Sequence, residues 1–398
     1  MKTLKLGFML LALLLAAMIM VPMVNAAEIS VSADVTTAVE ESSVSSDVAL
    51  QSANAAIKEF VSRNALNNTW KGATANSDPE VIFDMNGEKL FYLFSVENNG
   101  KRIGEIKIAA SKVVGASIVT IGPGAKPIDL NEIRTKANEI VNQKYNNATI
   151  NSIDLVCYDY PDIGGLVKFT VSGTENHSFV IDAYDLSLIP SSDQISFYNS
   201  IPSSEILNRT HQWDSDQKYL QTVTAQSITP MATVTKTING FSLYPQQGTN
   251  WCAFATAQMI SAYYGYQRTQ QTIANTIGVN PDNGASIELV RSNYYIVPVA
   301  SGGLGKAGSS ISYTGMFTYN DIMNEMNSNR PIHTDRFEAS SYHARAITGY
   351  SYTTTAPVSQ YLYIYDPWPT TSGAVYWENW NVFTGQPNPV HAILYIRN

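Results

Sequence analysis

"YPQQGTNWCAFATAQMISAYYG", residues 244–265, holds one of only two cysteines in a chain of 398 residues. A loop bearing Gln, Gly and Asn gives way here to a helical pattern, with Ala255, Met259, Ile260 and Tyr263 as its buried stripe. Cys252 then falls in the first turn, where backbone N–H groups lack intrahelical partners and the helix dipole favours an anion. A thiol so placed can ionise below its ordinary pKa of about 8.5, and the thiolate is the nucleophile. Gln246 and Gln247 precede it. A side-chain amide from either, with the Cys252 backbone N–H, would aim two donors at a developing oxyanion. A cysteine near a helix start is more often a small buried hydrophobe, so the rest of the chain must decide.

Downstream the pattern stays helical before it alternates. Thr269 caps a second helix that runs to Gly278, a third lies around 286–294, and Thr318 with Asp321 opens a fourth. The strands "RPIHTD", "YHARAITGY", "QYLYIYDP", "AVYWENW" and "VHAILYI" follow. Helices segregated from an antiparallel sheet predict an α+β domain over 237–398. It also holds 16 of the 23 tyrosines, which suits an aromatic-lined cleft or merely a tyrosine-rich surface.

A thiolate needs a base, and three of the five histidines lie in this part. His343 opens the strand "HARAITGY", and Asp366 ends the next apolar strand, where an acid can orient an imidazole through its other nitrogen. His391, in "VHAILYI", is the rival base, although no acid follows it. His333 reads as structural or pocket-lining. A metal held by Cys252, His343 and Asp366 would have only three ligands and no short-range ligand pair. Neither a metal nor an organic cofactor is expected.

Taken in order, "QQGTNWCAFATAQMISAYYG", "HARAITGY" and "YDPWP" resemble the three active-site blocks of papain-like cysteine peptidases. The nearest branch is the secreted bacterial kind, the staphopains and C39-type proteins. A Gln stands six residues before the Cys of Trp-Cys-Ala, a His-Ala-x-Ala strand follows, and an apolar strand ends in Asp-Pro-Trp. The resemblance covers roughly residues 240–398. It implies a papain-like fold, Cys252 as nucleophile, His343 as general base and acid, and Asp366 as the orienting third member. By spacing Gln246 is the oxyanion glutamine, and one residue of loop slack leaves Gln247 open. One departure stands out: papain and staphopains carry Asn at the third position, whereas the bacteriocin-leader-processing branch uses Asp. Trp368 is placed to shield that acid, or simply to pack the sheet.

The first half has a different texture. Residues 1–26, with Lys2 and Lys5, an apolar run and Val24-Asn25-Ala26, form a secretory signal peptide, the alternative being an uncleaved anchor. Sequons at Asn67, Asn147, Asn176 and Asn208 fit an exported chain. Residues 27–50 read as a loosely ordered lead-in. A helical pattern from 51 and four strand-like runs make a first small helix-plus-antiparallel-sheet unit, 51–125. A helix capped by Asp129 and more strands make a second, 126–190, unless the two form one larger sheet. Residues 191–236, rich in Ser, Thr, Gln and Asn, read as a linker with the maturation site and short local structure around Trp213. Cys157 reads as core, and two cysteines make no disulfide framework.

The formal charge of −8 lies entirely before residue 231, and no basic patch exists, which argues against nucleic acid as partner. Together these features predict a secreted thiol endopeptidase made as a zymogen, acting on protein or peptide. The acidic N-terminal region would be an intramolecular inhibitor or else a permanent binding module, with no stable membrane association after signal removal. The alternatives are a thiol amidase or transpeptidase acting on cell-wall or small amides, or a dead extracellular binding protein on the same fold.

Overall fold

A computed structural model describes residues 33–173, 175–225, 233–337, 342–354, 358–385 and 388–398. The expected signal segment 1–26 lies outside the described residues. Among them no helix is long and apolar enough to cross a membrane.

The first half opens with α1 (Ala33–Glu41) and α2 (Ser46–Ser62), then β1 (Thr74–Ala75), β2 (Glu80–Asp84), β3 (Lys89–Asn98), β4 (Lys101–Ala109) and β5 (Ile118–Gly124). Asn99 and Gly100 turn β3 into β4 with φ of 52° and 73°, the left-handed pair that a tight hairpin requires. Next come α3 (Leu130–Lys144), β6 (Ala148–Asp159), β7 (Asp162–Val171), β8 (Glu175–Asp182), β9 (Leu188–Ile189) and α4 (Ile206–Ala225). Asp129 caps α3 by accepting from the Asn131 and Glu132 N–H groups, as the sequence predicts.

Two expectations need correction. The lead-in expected loose over 27–50 is helical from Ala33 to Glu41 and again from Ser46, where Ser45 caps α2. These helices bury Val35, Val39, Ala49 and Ala53, side chains too small to give a strong apolar period. The stretch 191–236, expected as a linker, contains the twenty-residue α4. Its polar residues are satisfied inside the fold, which is why composition misread it. Gln217 exchanges hydrogen bonds with Ser52, Tyr219 Oη donates to Glu59 at 2.6 Å, and Asp216 accepts from the Ser117 N–H at 3.1 Å.

The second half runs β10 (Thr233–Thr237), α5 (Cys252–Tyr263), α6 (Gln270–Ile277), α7 (Ile287–Val290), β11 (Ser310–Tyr313), α8 (Tyr319–Asn327), β12 (Ile332–Phe337), β13 (Tyr342–Thr353), β14 (Gln360–Asp366), β15 (Ala374–Asn379), α9 (Trp380–Thr384) and β16 (Val390–Tyr395). The caps at Thr269 and Thr318 form as the sequence predicts, the latter as a full capping box. Alternation along β16 sends Ala392 and Leu394 to a core shared with α5 and α6, and Ile393 and Tyr395 to a core shared with α8. The sheet is therefore covered on both faces.

All described strands join one mixed sheet in the order β11-β16-β12-β13-β14-β15-β5-β4-β3-β2-β6-β7-β8-β9, with β1 on β3 and β10 on β13. The α+β class holds, and the larger-sheet alternative describes the first half. Its two antiparallel sets meet through a short parallel pairing, Phe83 with Val156 and Asp84 with Cys157. At the other end β5 pairs with β15 in the second half. The approach there is close: a Cβ on Gly122 would lie 2.7 Å from Tyr376 Cα. Trp377 fills the seam from the second half, fully buried, with its ring nitrogen donating to Ala65 O at 2.8 Å.

Burial pushes the carboxyls of Asp84 and Asp182 up to about 6 and that of Asp216 up to about 7. Each binds its proton more tightly folded than unfolded. Their contribution to stability is therefore complete below about pH 4 and is lost as pH rises through 6 to 7. The protein should melt higher at pH 5.5 than at pH 8. Asp216→Asn should raise the midpoint by several degrees at pH 8, by about half as much at pH 5.5 and hardly at all below about pH 4. A variant that melts lower at pH 8 would mean that a charged Asp216 holds the Ser117 N–H.

Candidate active site

Cys252 begins α5, the helix packed on β13, and is 8% exposed. Its Sγ lies 3.8 Å from the carbonyl oxygen of Tyr342, the residue immediately before His343. The fold thus sets the thiol against the start of the histidine's strand. His343 and Asp366 are in contact, Nε2 to Oδ1 at 2.7 Å, with side-chain exposures of 11% and 7%. With Nε2 on the carboxylate, Nδ1 lies on the opposite edge of the ring.

Asp366 accepts two further hydrogen bonds. The Trp368 N–H donates to Oδ1 at 2.9 Å and the Tyr376 hydroxyl donates to Oδ2 at 2.8 Å. Burial alone would raise this carboxyl's pKa. The His343 imidazole, its hydrogen bond and the Arg345 guanidinium together hold it below the usual carboxylate range. Trp368 meets the acid through its backbone, while its ring is half-buried.

The loop before the thiol is held from several sides. Gln246 is buried and Gln247 exposed. The Gln246 N–H donates to Pro367 O at 3.0 Å, tying this loop to the one after Asp366. Its Nε2 donates to Gly248 O at 2.8 Å and Thr249 O at 2.7 Å, so both of its protons face loop carbonyls. Gln270, buried at the start of α6, accepts from the Gln247 N–H and donates to Pro245 O and Gln258 Oε1. That brace was missed from sequence because a Gln opening a helix carries no motif and its partners stand 12 to 25 residues away.

The other histidines are placed differently. His391 stands on β16, with β12 between it and β13, and its ring packs against Tyr342 at 4.8 Å and Tyr313 at 5.5 Å. His333 is fully buried, with Nδ1 3.0 Å from the Tyr295 hydroxyl. Cys157 is buried in the first half, where burial pushes its thiol well up despite the nearby Lys107.

Sequence reasoning also missed a polar cluster beneath the acid. Arg345 NH1 donates to the Tyr376 hydroxyl at 3.1 Å and to Glu378 Oε2 at 3.0 Å, while Arg336 NH2 donates to Glu378 Oε1 at 2.8 Å. The available signal was polar or charged residues at alternate positions of apolar strands, His343 with Arg345 on β13 and Tyr376 with Glu378 on β15.

A thiol at a helix start near a histidine–carboxylate pair is the equipment with which thiol hydrolases carry an acyl group on sulfur. Residues 238–388 match the family model for the Peptidase_C39 like family. The match supports a papain-like cysteine peptidase domain of the C39-like kind over those residues. No curated protein matches the chain.

Proposed function

We propose that this protein is an exported cysteine endopeptidase made as a longer precursor. The observation that carries the reading is the 2.7 Å His343–Asp366 pair on strands that bring the Cys252 thiol against Tyr342. Cys252 Sγ gives its proton to His343 Nδ1 and attacks the scissile carbonyl. The tetrahedral oxyanion is held by the Cys252 N–H and by Gln246, whose Nε2 exchanges one of its loop carbonyls for the substrate oxygen. His343 then protonates the leaving amine, the C–N bond breaks, and an acyl-thioester remains. Water, deprotonated by His343, hydrolyses it and restores the thiol. Asp366 keeps Nε2 protonated and the ring aligned throughout.

The N-terminal half is the pro-region on this reading, removed by a cut within 191–236, and its acidic charge supports that role. Because β5 covers the edge of β15, a cut alone does not separate the halves. Export rests on the signal pattern of residues 1–26 and the sequons.

The test is a thiol-directed affinity label applied to wild type, Cys252→Ala and Cys157→Ala, with casein cleavage followed in parallel. Labelling and cleavage lost together in Cys252→Ala alone support the peptidase. Labelling without cleavage points to amidase or transpeptidase chemistry, and absence of labelling in processed protein to a binding module. A self-cleavage product missing only from Cys252→Ala supports the zymogen.

A further inference from the structure

We infer that Tyr376 is a positioning residue whose single hydroxyl proton requires a carboxylate, not a carboxamide, at position 366. The inference rests on the peptidase reading of this site and deepens it. A phenol has one proton to donate and lone pairs to accept. Arg345 NH1 approaches the Tyr376 oxygen at 3.1 Å, and a guanidinium can only donate. The phenol proton is therefore directed to Asp366 Oδ2, 2.8 Å away. Burial, and then the neighbouring Asp366, hold that phenol's pKa well above its usual value, so the proton stays on Tyr376.

On the other oxygen, Oδ1, the donors are His343 Nε2 at 2.7 Å and the Trp368 N–H at 2.9 Å. Every group facing the acid thus donates, and only an acceptor at both ends satisfies them. An Asn at 366 has one acceptor end. Turned towards His343, it sets its NH₂ against the Tyr376 proton. Turned the other way, it sets its NH₂ against the histidine and the Trp368 amide. Papain-like enzymes with Asn at this position lack that conflict if nothing donates to the second end. Arg345 is in turn fixed by Glu378, which Arg336 also holds. The phenol therefore cannot reverse its direction without breaking the cluster.

A double-mutant cycle in the full-length protein tests this. Asp366→Asn, Tyr376→Phe and the double variant are compared by casein hydrolysis and by the rate of Cys252 alkylation with iodoacetamide across pH. Tyr376→Phe alone should slow both by about tenfold, the order of one hydrogen bond to a charged group, without changing KM. Its acid limb should move to higher pH, because the carboxylate of Asp366 loses a donor while His343, Arg345 and the Trp368 amide remain. Asp366→Asn should cost about 100-fold in wild type but no more than a few-fold once Tyr376 is Phe. Additive losses would overturn the proposal, as would an unmoved acid limb. Rapid alkylation without casein cleavage in wild type would sink the peptidase reading while leaving the cycle readable. A wild-type thiol that alkylates only like a free one would overturn both.

Discussion

His343→Ala should lower kcat/KM on casein by at least on the order of 10⁴-fold, with circular dichroism and melting close to wild type. The loss is this large because, in the proposed mechanism, the imidazole acts in every step. It takes the thiol proton, protonates the leaving amine and activates the deacylating water, so nothing else can compensate. Its side chain is 11% exposed, and Asp366 keeps the Trp368 N–H and Tyr376 hydroxyl as donors when the ring is removed. His391→Ala is the matching control. That ring is on β16 and packs on Tyr342 and Tyr313, so its removal should change the rate by a few-fold at most, through a shift of Tyr342. Should His391→Ala abolish cleavage while His343→Ala leaves it intact, the roles assigned to the two histidines are reversed. A loss in both, with alkylation slowed only in His343→Ala, keeps His343 as base and makes His391 part of the substrate cleft.

Much of this arrangement was legible because it depends on local signals. Caps at Asp129, Thr269 and Thr318 mark helix starts by side-chain chemistry, and the strands from 332 to 395 read as short apolar runs, buried on both faces over much of β12 and β13. The pairing of His343 with Asp366 follows once two adjacent strands carry them near the same end. What stayed hidden depends on partners distant in sequence. α4 looked like a linker because Asp216, Gln217 and Tyr219 are polar, and only Ser117, Ser52 and Glu59 explain their burial. The same holds for Glu378, whose partners stand 42 and 33 residues away. The seam between β5 and β15 carries no motif at all, since Gly122 has significance only when Tyr376 lies against it.

Glu378→Gln should destabilise the protein by about 3–5 kcal/mol, the cost of leaving buried charge without its counter-charge. Domains are stable by only about 5–15 kcal/mol, so a substantial unfolded fraction should appear at growth temperature. Arg336 and Arg345 are both fully buried, and one carboxylate serves both. Burial works against each guanidinium's charge, and Glu378 more than offsets it, holding both above their ordinary range. Several of their N–H groups find no partner among the described residues, so no reserve of hydrogen bonds replaces the lost anion. The first half closes the cluster: the Tyr160 ring covers Arg336 at 4.8 Å, and its hydroxyl reaches Glu378 at 3.5 Å. Urea unfolding followed by tryptophan fluorescence should therefore show a lower midpoint in the full chain. A wild-type midpoint would mean that the guanidiniums reach water, and hence that the two halves do not dock in solution as they do here. Replacing all three charges, with Arg336→Met, Arg345→Met and Glu378→Leu, should recover most of the stability, because an apolar set of similar volume has no desolvation cost. It should not recover the rate. Without Arg345 the Tyr376 hydroxyl is free to turn from Asp366, so stability and turnover part company in this variant.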